Sequence, residues 1–79
     1  MMHFIKCQRP YFEAAEDGSK RFEYRKNDRQ YHVGDHLTLV EIDEAELMTG
    51  RQSAYRVLYI LQGVFGLPDG YCIMSIERC

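Results

Sequence analysis

The stretch from Arg51 to Leu61 leaves this chain little choice of fold class. It is the longest β signal in the sequence, rich in Tyr, Val, Ile and Leu. Its nearly continuous apolar character after Arg56 predicts a strand covered on both faces. Turn chemistry cuts the rest of the chain into shorter pieces. Asn27-Asp28-Arg29 and Val33-Gly34-Asp35 read as turns, Thr49-Gly50 as the reversal before the long strand, and Gly63, Gly66, Pro68 and Gly70 as a loop after it. Met2 to Cys7, Arg21 to Lys26, Leu37 to about Asp43 and Tyr71 to Ile76 read as the other strands.

One segment breaks the β pattern. Pro10 suits the first turn of a helix, where a missing N–H costs nothing, and Gly18 suits the position just past a helix end. Between them Tyr11, Phe12, Ala14 and Ala15 form a short apolar stripe. Two turns of helix are too few to stand by propensity, so packing must hold them. The order is strand, helix, then four strands. That predicts a mainly β, α+β domain spanning residues 1–79: a small closed or half-closed barrel with the helix plugging one end.

Composition limits the function classes. The chain is 46% hydrophobic with six Tyr and four Phe, enough for a packed core, and its 28% charged residues argue against disorder. No apolar run reaches the ~20 residues of a membrane helix, and Met1–Lys6 lacks a signal-like stretch, so a cytoplasmic protein without a membrane partner is expected. Cys7, Cys72 and Cys79 are odd in number and lack C-x-x-C spacing, which predicts buried or terminal free thiols. His3, His32 and His36 have no ligand spacing with a carboxylate. No metal and no cofactor are expected, and the protein should be a monomer or a weak dimer.

Net charge is −2, but its distribution is uneven. Gly18 to Arg29 carries Lys20, Arg21, Arg25, Lys26 and Arg29 against Glu23 and Asp28, a local +3, whereas Glu41 to Glu46 holds four acids and no cation. Such a split can present a basic face to phosphates while an acidic edge maintains solubility. On an extended segment Glu23 and Arg25 share a face and can pair, with Phe22 and Tyr24 opposite. Glu23 would then fix the Arg25 guanidinium, aiming its other N–H groups at a phosphate or base edge. Arg9, Lys26, Asn27 and Arg29 could extend the basic rim. Of the tyrosines, Tyr11 and Tyr24 are expected in the core and Tyr31 is the better candidate for stacking on a base.

Gly18, Lys20, Glu23 and Arg25 match the G-x-K-x-x-E-x-R signature of ASCH domains, and the chain resembles a short bacterial and phage subfamily of that PUA-like group. His3 and Lys6, Tyr11-Phe12, Arg25–Arg29, Val33-Gly34-Asp35, Phe65-Gly66-Leu67 and Gly70-Tyr71 extend the likeness over nearly the whole sequence. The resemblance implies a PUA-like barrel and an RNA- or nucleotide-binding cleft around Lys20, Glu23 and Arg25, with His3 placed near it because the first strand should lie beside the motif strand. Some small ASCH proteins hydrolyse N-acetylated cytidine with a lysine at the Lys20 position, a threonine and a glutamate. Here Glu23 stands where those enzymes have threonine, and Gln62–Gly70 offers only Asp69 as a second acid. Lys20 and Glu23 would be the catalytic candidates of that alternative. A third reading is a protein-interaction regulator, of the kind phages encode, using the acidic edge.

Overall fold

The computed structural model describes Met1–Cys79. Its elements run β1 (Met2–Gln8), α1 (Arg9–Glu16), β2 (Phe22–Lys26), β3 (His36–Ile42), β4 (Met48–Gln62) and β5 (Tyr71–Arg78). They form one five-stranded sheet in the order β1-β3-β4-β5-β2. Only β1 and β3 are parallel; every other pairing is antiparallel. The sheet curls into a half-barrel with α1 after the first strand, as the order of segments predicts.

Sheet order decides where the site lies. β1 and β2 are joined through α1, yet they are the two outer strands of the sheet. Curling brings their free edges face to face without a ladder between them. Side chains bridge the seam instead: Arg25 Nη2 donates to the Lys6 carbonyl, and Arg29 Nη1 to the Phe4 carbonyl at 3.0 Å. Unpaired strand edges are normally covered or charged, and here two guanidiniums satisfy carbonyls that would otherwise depend on water.

The core follows the strand period. In β1, His3, Ile5 and Cys7 point inward and alternate with exposed neighbours. Leu37 and Leu39 of β3, Val57 of β4 and Met74 of β5 meet them. Phe12 of α1 is wholly buried and closes one end of this core, contributing roughly 2–3 kcal/mol of burial.

After α1, Gly18 takes the left-handed conformation at φ +84°, and the Lys20 N–H bonds back to the Ala14 carbonyl at 3.0 Å. This turn sets where Lys20 leaves the helix. Gly18→Ala should cost about 1 kcal/mol, because its Cβ would meet only Arg21 Nη2 at 3.9 Å and the backbone conformation alone is penalised. A thermal melt checks it; a gain in stability would contradict this account of the turn.

Two sequence expectations need correction. The β3–β4 reversal is not at Thr49-Gly50 but at Asp43–Leu47, where Asp43 Oδ1 accepts from the Ala45 and Leu47 N–H groups. Gly50, at φ +97°, lies inside β4 where the register slips between the Val40–Gln52 and Ile42–Met48 pairs. An aspartate able to cap its own turn outweighed the glycine signal. The long strand is also not covered on both faces: beyond Val57, Leu58, Tyr59 and Leu61 are exposed.

The acidic segment is not a uniformly solvated edge either. Glu41 is buried and accepts from Thr49 Oγ1 at 2.5 Å, with Arg51 at 3.5 Å, and Asp43 holds the turn. No helix is long and apolar enough to cross a membrane.

Candidate functional site

The seam between β1 and β2 opens as a groove of about 600 Å³. Lys6, Cys7 and Gln8 form one wall and Phe22, Tyr24 and Arg25 the other, with Tyr11 of α1 and Lys20 completing the lining. At its centre is Glu23, only 3% exposed. Alternation along β2 sends Glu23 into the barrel and leaves Phe22 and Tyr24 outside.

Glu23 is held by two cations. Lys20 Nζ donates to Oε1 at 2.6 Å and Arg25 Nε to Oε2 at 2.9 Å. Lys20 also donates to the Phe22 carbonyl at 2.8 Å and lies 5.0 Å from the centre of the Phe22 ring. One buried carboxylate is thus shared between two positive groups that both reach a solvent-open wall. A buried charge must be paired to be tolerated, and here the pairing leaves an excess of positive charge and unused N–H donors at the groove. A second hollow of about 340 Å³ continues the seam past Arg25, with Lys26, Asp28 and Arg29 among its walls; Tyr24 and Arg25 line both.

A family profile described as a domain of unknown function, DUF3850, matches residues 2–76. The chain belongs to the DUF3850 family. A relative, described as an uncharacterised 12.9 kDa protein in the GpA 3′ region of Escherichia phage P2, is 39% identical over 56 residues, which is 71% of this chain and 50% of that protein. The chain therefore spans about half the length of the curated relative it matches.

In this DUF3850 chain Lys20, Glu23 and Arg25 converge on one groove, while Lys26 and Arg29 line its continuation. The other candidates are placed differently. Arg9 is exposed at the start of α1 and does not line the groove. Asn27 acts as a clamp, donating to Gln62 Oε1 at 2.8 Å and accepting the Tyr31 N–H at 3.0 Å. His3 is not at the cleft. As an odd-numbered residue of β1 it points into the core, where it meets Asp35 Oδ2 at 2.9 Å and the edge of Tyr31 at 4.8 Å between ring centres.

Tyr31, expected to stack on a base, is 4% exposed and belongs to the core; its polar neighbours in sequence concealed that it packs against His3. Tyr11 and Tyr24 reverse the opposite expectation, since both are exposed. Tyr24 stacks on Tyr71 with centroids 5.6 Å apart at 29°.

Sequence reasoning missed Asp35 as a buried anchor and Gln8 as a groove residue. The inward–outward alternation of Met2–Gln8 was the available signal for Gln8. Asp35 gave none beyond its turn. Cys7 borders the groove as well, but burial, and then the nearby Glu23, push its thiol up to about 11, so it is protonated and unreactive at neutral pH. Cys72 is likewise buried and free, and Cys79 is exposed.

Proposed function

We propose that this DUF3850 chain is a small RNA- or nucleotide-binding module of the ASCH, PUA-like type, whose seam groove grips a phosphate or base edge through Lys20 and Arg25. The observation that carries the reading is Glu23: a buried carboxylate that orients two cations toward an open groove instead of neutralising one of them. The ASCH signature residues support it, because each has a part in this one arrangement. Gly18 makes the turn, Lys20 and Arg25 supply donors, and Glu23 holds both.

Binding of a short RNA to the 79-residue chain, followed by fluorescence anisotropy across a salt series, tests this. Affinity should fall steeply with salt. Lys20→Ala should weaken it about tenfold and lower the salt slope by about 1, while Glu23 keeps its bond to Arg25. If neither nucleotide nor oligonucleotide binds at low salt, or if Lys20→Ala and Arg25→Lys change nothing, the proposal is lost.

The hydrolase alternative draws on the direct Lys20–Glu23 contact, which puts an amine and a carboxylate within proton-transfer distance. Against it, Lys20 Nζ is a donor to two oxygens, whereas a nucleophilic amine needs its lone pair aimed into the groove. Release of acetate from N-acetylcytidine, lost in Lys20→Ala, would replace binding by catalysis as the preferred reading.

A further inference from the structure

The pleat that buries Glu23 and Met74 turns their neighbours outward. The ladder places Phe22, Ser75 and Tyr59 in one row across β2, β5 and β4, and Tyr24, Ile73 and Leu61 in the next. With strands about 4.8 Å apart and like-facing residues about 6.7 Å apart along a strand, these positions span roughly 10 by 7 Å. This face is unpartnered: Phe22 is 47%, Tyr24 50% and Tyr59 63% exposed. Phe65, in the loop after β4, is fully exposed as well.

We infer that this outer face is a base-stacking platform, which makes single-stranded nucleic acid, rather than a duplex or a lone nucleotide, the ligand of the chain. The inference rests on the nucleic-acid reading of the groove. Three observations favour bases as the occupant. The face is continuous with the groove, because Phe22 and Tyr24 belong to both. Its exposed rings sit on one face of the sheet, and any base can stack on such rings whatever its sequence. Its β2 border is cationic, with Lys20 against the Phe22 ring and exposed Arg21 and Lys26 at either end of the strand, so a backbone following the rings meets positive charge. A duplex hides the base faces that such a platform needs.

The protein has no Trp, so the emission of its exposed tyrosines, Tyr24 and Tyr59 among them, reports on stacking. The test is a titration at low salt with uridine monophosphate and with oligouridylates of increasing length, up to eight nucleotides, followed by tyrosine emission and anisotropy. Affinity should rise with length and tyrosine emission should be quenched. Tyr59→Ala should weaken octamer binding about 5- to 100-fold and leave the mononucleotide unaffected, since Tyr59 lies off the groove. Tyr59→Leu keeps the apolar area and removes the ring; it should lose the same octamer affinity and guards against a folding defect.

If Tyr59→Leu binds the octamer as tightly as the parent while Lys20→Ala does not, the platform is wrong and the groove reading stands. If the parent binds neither mononucleotide nor oligomer, the groove reading fails and takes the platform with it. If Tyr59→Ala changes only the sedimentation of the protein, the face docks protein and the inference is overturned.

Discussion

Glu23→Gln is expected to lower the free energy of unfolding by about 3 kcal/mol. Glu23 gives one oxygen to Lys20 and the other to Arg25. Glutamine has the same shape but a single carbonyl oxygen, so one cation would face an amide NH₂, donor against donor. The negative charge that balances both cations would also vanish. Breaking a buried pair by removing one partner costs about 3–5 kcal/mol. The lower end applies because both cations reach the water of the groove. A chain of 79 residues has roughly 4–12 kcal/mol in total, so the loss should be plain in a urea titration as a lower midpoint at unchanged slope. A shift worth less than about 1 kcal/mol would mean that the two cations do not depend on Glu23 for their placement.

Asp35 should show the second large effect, and it should depend on pH. Its buried carboxylate accepts from His3, from the Met1 amino group at 3.0 Å and from the His32 N–H at 3.0 Å. Burial alone would raise its pKa, but the bonds from His3, the amino group and His32 outweigh burial and hold the carboxyl well below the ordinary range. A carboxyl lowered on folding stabilises the protein fully above its unfolded value of about 4, and that contribution fades as pH drops from there toward the folded value. The melting temperature should therefore be flat near neutrality and fall below about pH 4. Asp35→Asn should cost about 2–4 kcal/mol at pH 7 and remove part of the acid slope. An Asp35→Asn variant that melts like the parent at pH 7, or that keeps the whole acid slope, would contradict this role.

Much of the architecture was legible because local signals agreed with the global fold. Pro10 and Gly18 bracketed the helix, and the segments read as the first, second and last strands are strands β1, β2 and β5. The signals that failed did so for tertiary reasons. Gly50 looked like a reversal because glycine marks both turns and bulges, and only the pairing partner tells them apart. Leu58, Tyr59 and Leu61 looked buried because an apolar run in a strand does not reveal whether its second face is covered.

At the site, the pairing of Glu23 with Arg25 followed from their spacing, but the inversion of β2 did not. A strand of sequence Phe-Glu-Tyr-Arg-Lys suggests aromatics inside, and it folds with the glutamate inside because two cations and the curl of the sheet are there to receive it. Tyr31 and His3 were misplaced for the complementary reason: their burial is set by Asp35 and by each other, contacts that span about thirty residues of sequence for His3 and Asp35. The first strand was expected beside the motif strand, but the sequence does not state that these two strands, joined through a helix, become the opposite edges of one sheet with no ladder between them.

The central claim is that the β1–β2 seam is where ligand binds. A ¹⁵N–¹H correlation spectrum of the chain, titrated with a short single-stranded RNA at low salt, addresses it residue by residue. The amides of Lys6–Gln8 and of Lys20–Lys26 should shift together, saturably, and return as salt is raised. Shifts confined to Asp43–Leu47, or a spectrum that does not change, would place the function of this domain elsewhere.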